Sequence, residues 1–167
     1  MKLILLALLT AAPLLAQKVT VEFDQSADFS RYHTFALANG QLNSRNPALN
    51  SELIRKKIDD SIAHYLAAKG LTEVLSHPDL NVRYHFGSAR KHEIERYPAG
   101  WYGRRTRVVR VPYTEGTLVI DFNDSSVHAL VWRAISHEDK PNPDKIAGKL
   151  DDMVKKSIAK YPPKPSR

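Results

Sequence analysis

Residues 50–71 read NSELIRKKIDDSIAHYLAAKGL. Leu53, Ile54, Ile58, Ile62, Tyr65 and Leu66 recur at three- and four-residue spacings, which predicts a helix with one apolar stripe. Asn50 or Ser51 can cap its start by accepting a hydrogen bond from a first-turn amide, and Glu52 suits the positive end of the helix dipole. Gly70 ends the helix because glycine takes the left-handed conformation freely, and Leu71 can fold back on the last turn. A second one-sided helix begins at Asn142-Pro143, where proline gives up an amide bond that a first helical position would not make. Its stripe is Ile146, Leu150, Met153, Val154 and Ile158, and Pro162 and Pro163 end it. Residues 164–167 form a frayed tail.

Helices apolar on one side need a sheet face to cover. Residues 18–24 alternate, with Val19, Val21 and Phe23 on one side, and residues 32–38 make a second short strand. The stretch 39–50, rich in Asn, Gly, Ser and Pro, reads as a loop. Residues 79–86 alternate again, placing Leu80, Val82, Tyr84 and Phe86 opposite Asn81, Arg83 and His85. Residues 87–105 show little apolar periodicity and read as a long mobile excursion. Strands at 106–112 and 117–123 are expected to form a hairpin across Tyr113-Thr114-Glu115-Gly116, where the glycine permits the tight turn, followed by a strand at 127–136, so that the three make an antiparallel meander. The expectation is an α+β fold in the order β-β-α-β-β-β-β-α, a mostly antiparallel sheet with both helices packed on one face.

The first sixteen residues carry one cation, Lys2, then an apolar run, then small residues ending at Ala16. That is the layout of a cleavable secretory signal peptide, too short to span a bilayer, with Ala16 before Gln17 as the cut site. Residues 17–163 are then one exported domain, periplasmic or secreted. The chain has no cysteine, which excludes disulfides and a lipid-modified N-terminal cysteine. A net charge of +7 favours anionic partners, and outside the cytoplasm these are lipid, glycan or protein surfaces more than nucleic acid.

Three groups of residues resemble the bacterial domain-of-unknown-function family 4136 (DUF4136). They are VEFD at 21–24 with DFSRYHTF at 28–35; LAAKGL at 66–71 followed by PDLNVRY at 78–84; and GTLVID at 116–121 with LVWR at 130–133. The resemblance implies an exported envelope protein and brings no catalytic residues with it. The chain departs from the family in lacking the lipoprotein cysteine and in having Ala134 where glycine often follows the Trp-Arg pair.

His85, His92 and Glu93, or His128 and His137, are metal ligands by residue type, but zinc needs three or four donors converging at about 2 Å. No ligand-spacing motif holds these histidines, and they read as surface residues. The chain contains no HExxH, phosphate loop or GxSxG elbow, so no cofactor is expected. Asp121 and Asp124 suit a turn better than a pair of catalytic acids. Trp132 is expected in the core, and Arg133, on the opposite face, beside Asp121. The segment 90–110 sets seven cations among Tyr97, Trp101 and Tyr102. Arginine forks bind phosphate or carboxylate, and Trp and Tyr suit a lipid interface or sugar stacking. Arg96, Trp101, Tyr102, Arg104, Arg105 and Arg107 are therefore the candidate contacts of a non-enzymatic module for an anionic partner. The alternative is a hydrolase acting on envelope glycans or lipids, with the histidines or Asp121 in its site.

Expressed in a bacterial host, the protein is expected in the exported fraction with an intact mass that begins at Gln17. A full-length product retained in the cytoplasm would contradict the leader.

Overall fold

The computed structural model describes residues 19–38, 40–99 and 105–164. The expected leader at 1–16 lies outside the described residues, as do Trp101, Tyr102 and Arg104.

The helix over Glu52–Ala67, α1, forms as its pattern requires. Ser51 accepts from the Ile54 amide at 3.4 Å, Gly70 takes φ of 90°, and the Leu71 amide returns to the Leu66 carbonyl at 3.1 Å. Ile54, Ile58, Ile62 and Leu66 are buried, while Leu53 points out to solvent. The second helix is divided. α2 covers Pro143–Ala147 and α3 covers Leu150–Ile158, because the chain turns at Gly148-Lys149 before the apolar stripe resumes. Asn142 caps α2, accepting from the Lys145 amide at 3.1 Å. α1 and α3 are joined through Asp151, which accepts from Ser61 Oγ at 2.9 Å and Tyr65 Oη at 2.8 Å.

Among the described residues seven strands form one sheet: β1 (Val19–Phe23), β2 (Thr34–Leu37), β3 (Gln41–Ser44), β4 (Thr72–Glu73), β5 (Leu80–Ala99), β6 (Arg105–Asp124) and β7 (Ala129–Lys140). The order is β1-β7-β6-β5-β2-β4, with β3 also on β5. β5, β6 and β7 make an antiparallel meander, but not the one expected from 106–112, 117–123 and 127–136, because the first two of those segments are the single strand β6; β1 adds antiparallel to β7, whereas β2 and β3 run parallel to β5. Leu80, Val82, Tyr84 and Phe86 of β5, Leu118, Ile120 and Phe122 of β6, and Trp132 and Ala134 of β7 are buried beneath the helices. Trp132 sits 4.5 Å from Phe122 and 5.7 Å from Tyr161, centroid to centroid. The opposite face carries exposed Arg83 and His85 and half-buried Val119 and Ile135. The fold is thus α+β, with a mostly antiparallel sheet and its helices on one side.

Three local expectations are corrected. Residues 39–50 contain β3 and a 3-10 turn at Pro47–Leu49 as well as loop. The segment 87–105 is strand through Ala99 and again from Arg105. Gly116 turns no hairpin: β6 runs unbroken through it, and Gly116 pairs with Ser88 on one side and Glu138 on the other. A Cβ there would lie 2.8 Å from Ile146 Cγ2. The glycine lets α2 sit down on the sheet, the other standing reason for glycine inside a strand.

Gly116→Val is expected to cost about 1–3 kcal/mol through overpacking against Ile146, read as a lower urea midpoint at unchanged slope. A midpoint equal to that of the parent would contradict the close approach.

Candidate functional site

β5 and β6 outrun every neighbour. β3 leaves β5 after Ser88, and β7 leaves β6 at Thr114↔Lys140. Beyond that point, among the described residues, the nine pairs from Lys91↔Tyr113 to Ala99↔Arg105 have only each other. At roughly 3.4 Å per residue this two-stranded ribbon runs about 30 Å past the body.

Alternation along the strands divides its side chains. On the face continuous with the core lie Arg90, His92, Ile94 and Arg96 of β5 and Val108, Arg110 and Pro112 of β6, all exposed. Ile94 faces Arg110 and Arg96 faces Val108 across the ladder, so these two β-branched residues are each set against an arginine. Ile94 and Val108 remain 55% and 57% exposed, an unusual outlay of β-branched surface with no helix above it. The other face holds half-buried Val109, Val111 and Tyr113. Arg105 and Arg107 occupy register positions opposite Ala99 and Tyr97. The ribbon therefore brings Arg96 together with Arg90 and Arg110, two cations outside the candidate set.

At the root, Lys91 pairs with Glu115, whose carboxylate raises the lysine's pKa. Asp139 lies directly across from Glu115. Burial first, and the neighbouring Glu115 second, hold the Asp139 carboxyl above its ordinary value.

The candidate acids are otherwise engaged. Asp121 receives Arg133 Nε and Nη2 at 2.6 and 2.7 Å, the cross-strand pair expected from the sequence. Asp124 fits the turn expectation: it accepts from the Ser126 amide at 2.7 Å and from Ser126 Oγ at 2.6 Å. It also takes Tyr32 Oη at 2.9 Å and pairs with Arg31, a long-range clasp that the sequence did not signal. Burial works to raise the Asp124 pKa, but the hydrogen bonds from Ser126 and Tyr32 outweigh it and hold the carboxyl well below the usual range. Asp79, next to it, accepts from His33 N, Thr34 N and Thr34 Oγ1 at 2.8–2.9 Å, and its pKa is lowered too, first by the His33 amide.

His85, His92, His128 and His137 are exposed, with His137 Nδ1 3.1 Å from Thr117 Oγ1. Glu93 stands at the register position opposite Val111. Among the described residues no three or more potential metal-binding side chains come together.

A family model described as a domain of unknown function, DUF4136, matches residues 19–163. No curated protein matches the chain. Among solved structures, a PDZ domain protein from Parabacteroides distasonis superposes with a TM-score of 0.63 at 14% identity over 89% of this chain. The chain spans only 36% of that protein's length. A DUF4136 family protein from Bacteroides thetaiotaomicron matches with a TM-score of 0.51 at 13% identity, covering 87% of this chain and 96% of its own. A PelC dodecamer from Paraburkholderia phytofirmans matches with a TM-score of 0.50 at 13% identity, covering 85% of this chain and 96% of its own. At these identities the likeness is one of fold.

Because Asp124 and Asp79 have lowered pKa values in the fold, the stability they contribute is present above the unfolded carboxylate value of about 3.9. It is lost as pH falls through the folded value. Asp124→Asn is expected to lower stability at neutral pH by about 1–3 kcal/mol and to flatten the loss between pH about 4 and the acid limit. Urea melts that show equal stability at pH 7 would contradict the clasp.

Proposed function

The chain belongs to the DUF4136 family of unknown function, and we propose that it is an exported, non-enzymatic envelope module whose β5–β6 ribbon contacts an anionic lipid surface. The observation that carries this reading is the ribbon face on which exposed Ile94 and Val108 alternate with Arg90, Arg96 and Arg110. A two-stranded ribbon alone is marginally stable in water, and exposed apolar residues rimmed by cations are what an interfacial contact requires. Charge agrees: residues 90–110 hold seven cations against Glu93 and Glu95. Tyr97, Trp101 and Tyr102 lie toward the tip in sequence and suit the head-group region. Cleavage after Ala16 would deliver residues 17–163 to that surface. No helix among the described residues is long and apolar enough to cross a membrane, so the contact proposed is peripheral.

The hydrolase alternative has no comparable support. Asp121 is held by Arg133, and Asp124 by Tyr32 and Ser126.

Vesicles containing phosphatidylglycerol are expected to sediment the exported protein at low salt and to release it as salt rises. Neutral vesicles should not bind it. The double substitution Arg96→Ser and Arg110→Ser should weaken binding about thirtyfold, at ~1 kcal/mol per cation near the surface. Absence of binding at low salt, or affinity unchanged in the double variant, would overturn the lipid reading, as would capture by an acidic protein alone.

A further inference from the structure

Where the ribbon leaves the body, a groove of about 660 Å³ opens between Arg45, Asn46 and Pro47 on one side and Ser88, Arg90 and Thr114 on the other. Its size lies within the ~300–1,000 Å³ of ordinary small-molecule sites. Arg45 and Arg90 line it and no Asp or Glu does. Several cations near the sheet are matched: Arg31 to Asp124, Arg133 to Asp121, Lys91 to Glu115 and Lys140 to Glu138. Neither Arg45 nor Arg90 forms an ion pair among the described residues.

The wall between them is fixed. Ser44 Oγ and Ser88 Oγ are 2.6 Å apart, tying the end of β3 to β5, and Ser44 Oγ also accepts the Asn46 amide at 3.1 Å. Asn50 Nδ2 donates to the Ser44 carbonyl at 3.2 Å. Asn46 Oδ1 is spent on the Ala48 amide at 2.9 Å, which leaves the NH₂ as the remaining donor of this groove-lining side chain. Thr114 and Ser88, whose hydroxyl is bonded to Ser44, complete a polar lining.

We propose that this groove binds the phosphate group of a small polar phosphoester. Guanidinium forks match phosphate oxygens bidentately, and the amide and hydroxyl donors serve the remaining oxygens and the attached alcohol. The inference rests on the reading of an anionic partner and names the chemistry recognised, but it stands on Arg45 and Arg90, not on the ribbon's outer rungs. The phosphate can come from a soluble phosphoester or from a phospholipid head group.

The test is a titration of the exported protein, followed by amide shifts in NMR, with sn-glycerol 3-phosphate, inorganic phosphate and short-chain phosphatidylglycerol below its micelle concentration. Saturable shifts at Ser44, Arg45, Ser88 and Arg90 are expected. Arg45→Gln and Arg90→Gln should each weaken binding about tenfold or more, while Arg96→Ser with Arg110→Ser should leave the binding of glycerol 3-phosphate and inorganic phosphate unchanged. Saturation by glycerol 3-phosphate assigns a soluble source, and saturation by the short-chain lipid alone assigns the head group. Either supports the site. If none of the three probes saturates, or the glutamine variants bind as the parent does, the groove is overturned. Vesicle binding that still depends on Arg96 and Arg110 would then leave the ribbon reading standing. Groove binding without vesicle binding would overturn the ribbon's lipid contact instead.

Discussion

β5 and β6 pair over twenty rungs, from Leu80↔Asp124 to Ala99↔Arg105. Side chains alternate with a period of two, so a slip of one residue would turn Leu80, Val82, Tyr84 and Phe86 out of the core together. That register is enforced only at its lower end, where Leu118, Ile120 and Phe122 face them beneath the helices. The upper rungs inherit it. Every feature of the ribbon, including which residues share its cationic face, follows from burial that happens some distance away.

The molecule is accordingly graded in stability. The lower sheet has a helix layer, a buried Trp132, the Asp121–Arg133 pair and the Asp124 clasp that ties the β6–β7 turn to Arg31 and Tyr32. Above Thr114 the same two strands have no third strand beside them among the described residues. Gly116 marks the change, because it admits Ile146 of α2 against the sheet at the last covered level. The groove of Arg45 and Arg90 lies at that same level, on the supported side of the boundary, which is why its walls can be rigid while the outer ribbon is not held.

What could be read from the residues follows the same division. α1, β1, β2 and the lower parts of β5, β6 and β7 have a buried face, and a buried face writes an apolar period into the sequence. The Trp132 core position and the Arg133–Asp121 pair follow from strand alternation alone. From Arg90 to Arg96 and from Val108 to Pro112 the face continuous with the core is exposed, so Arg90, His92, Ile94 and Arg96 alternate nothing apolar against anything polar, and Gly116 looks like a turn. β3 carries one apolar residue, Leu42, and two-residue β4 offers no pattern. Of the candidate contacts, Arg96 stands on the cationic face, Arg105 and Arg107 are placed by register, and Trp101, Tyr102 and Arg104 lie outside the described residues. Arg45 had no signal, since its partner in the groove, Arg90, lies 45 positions away in the sequence.

Amide hydrogen exchange of the exported protein, with and without phosphatidylglycerol vesicles, reaches the central claim most directly. If the ribbon is a real extension of the sheet held only by its own pairing, amides 91–99 and 105–113 should exchange faster than those of 80–86 and 118–122 in solution, and should gain protection when vesicles are added. Ribbon amides unaffected by vesicles that bind the protein, or protection appearing only at the helices, would contradict the account.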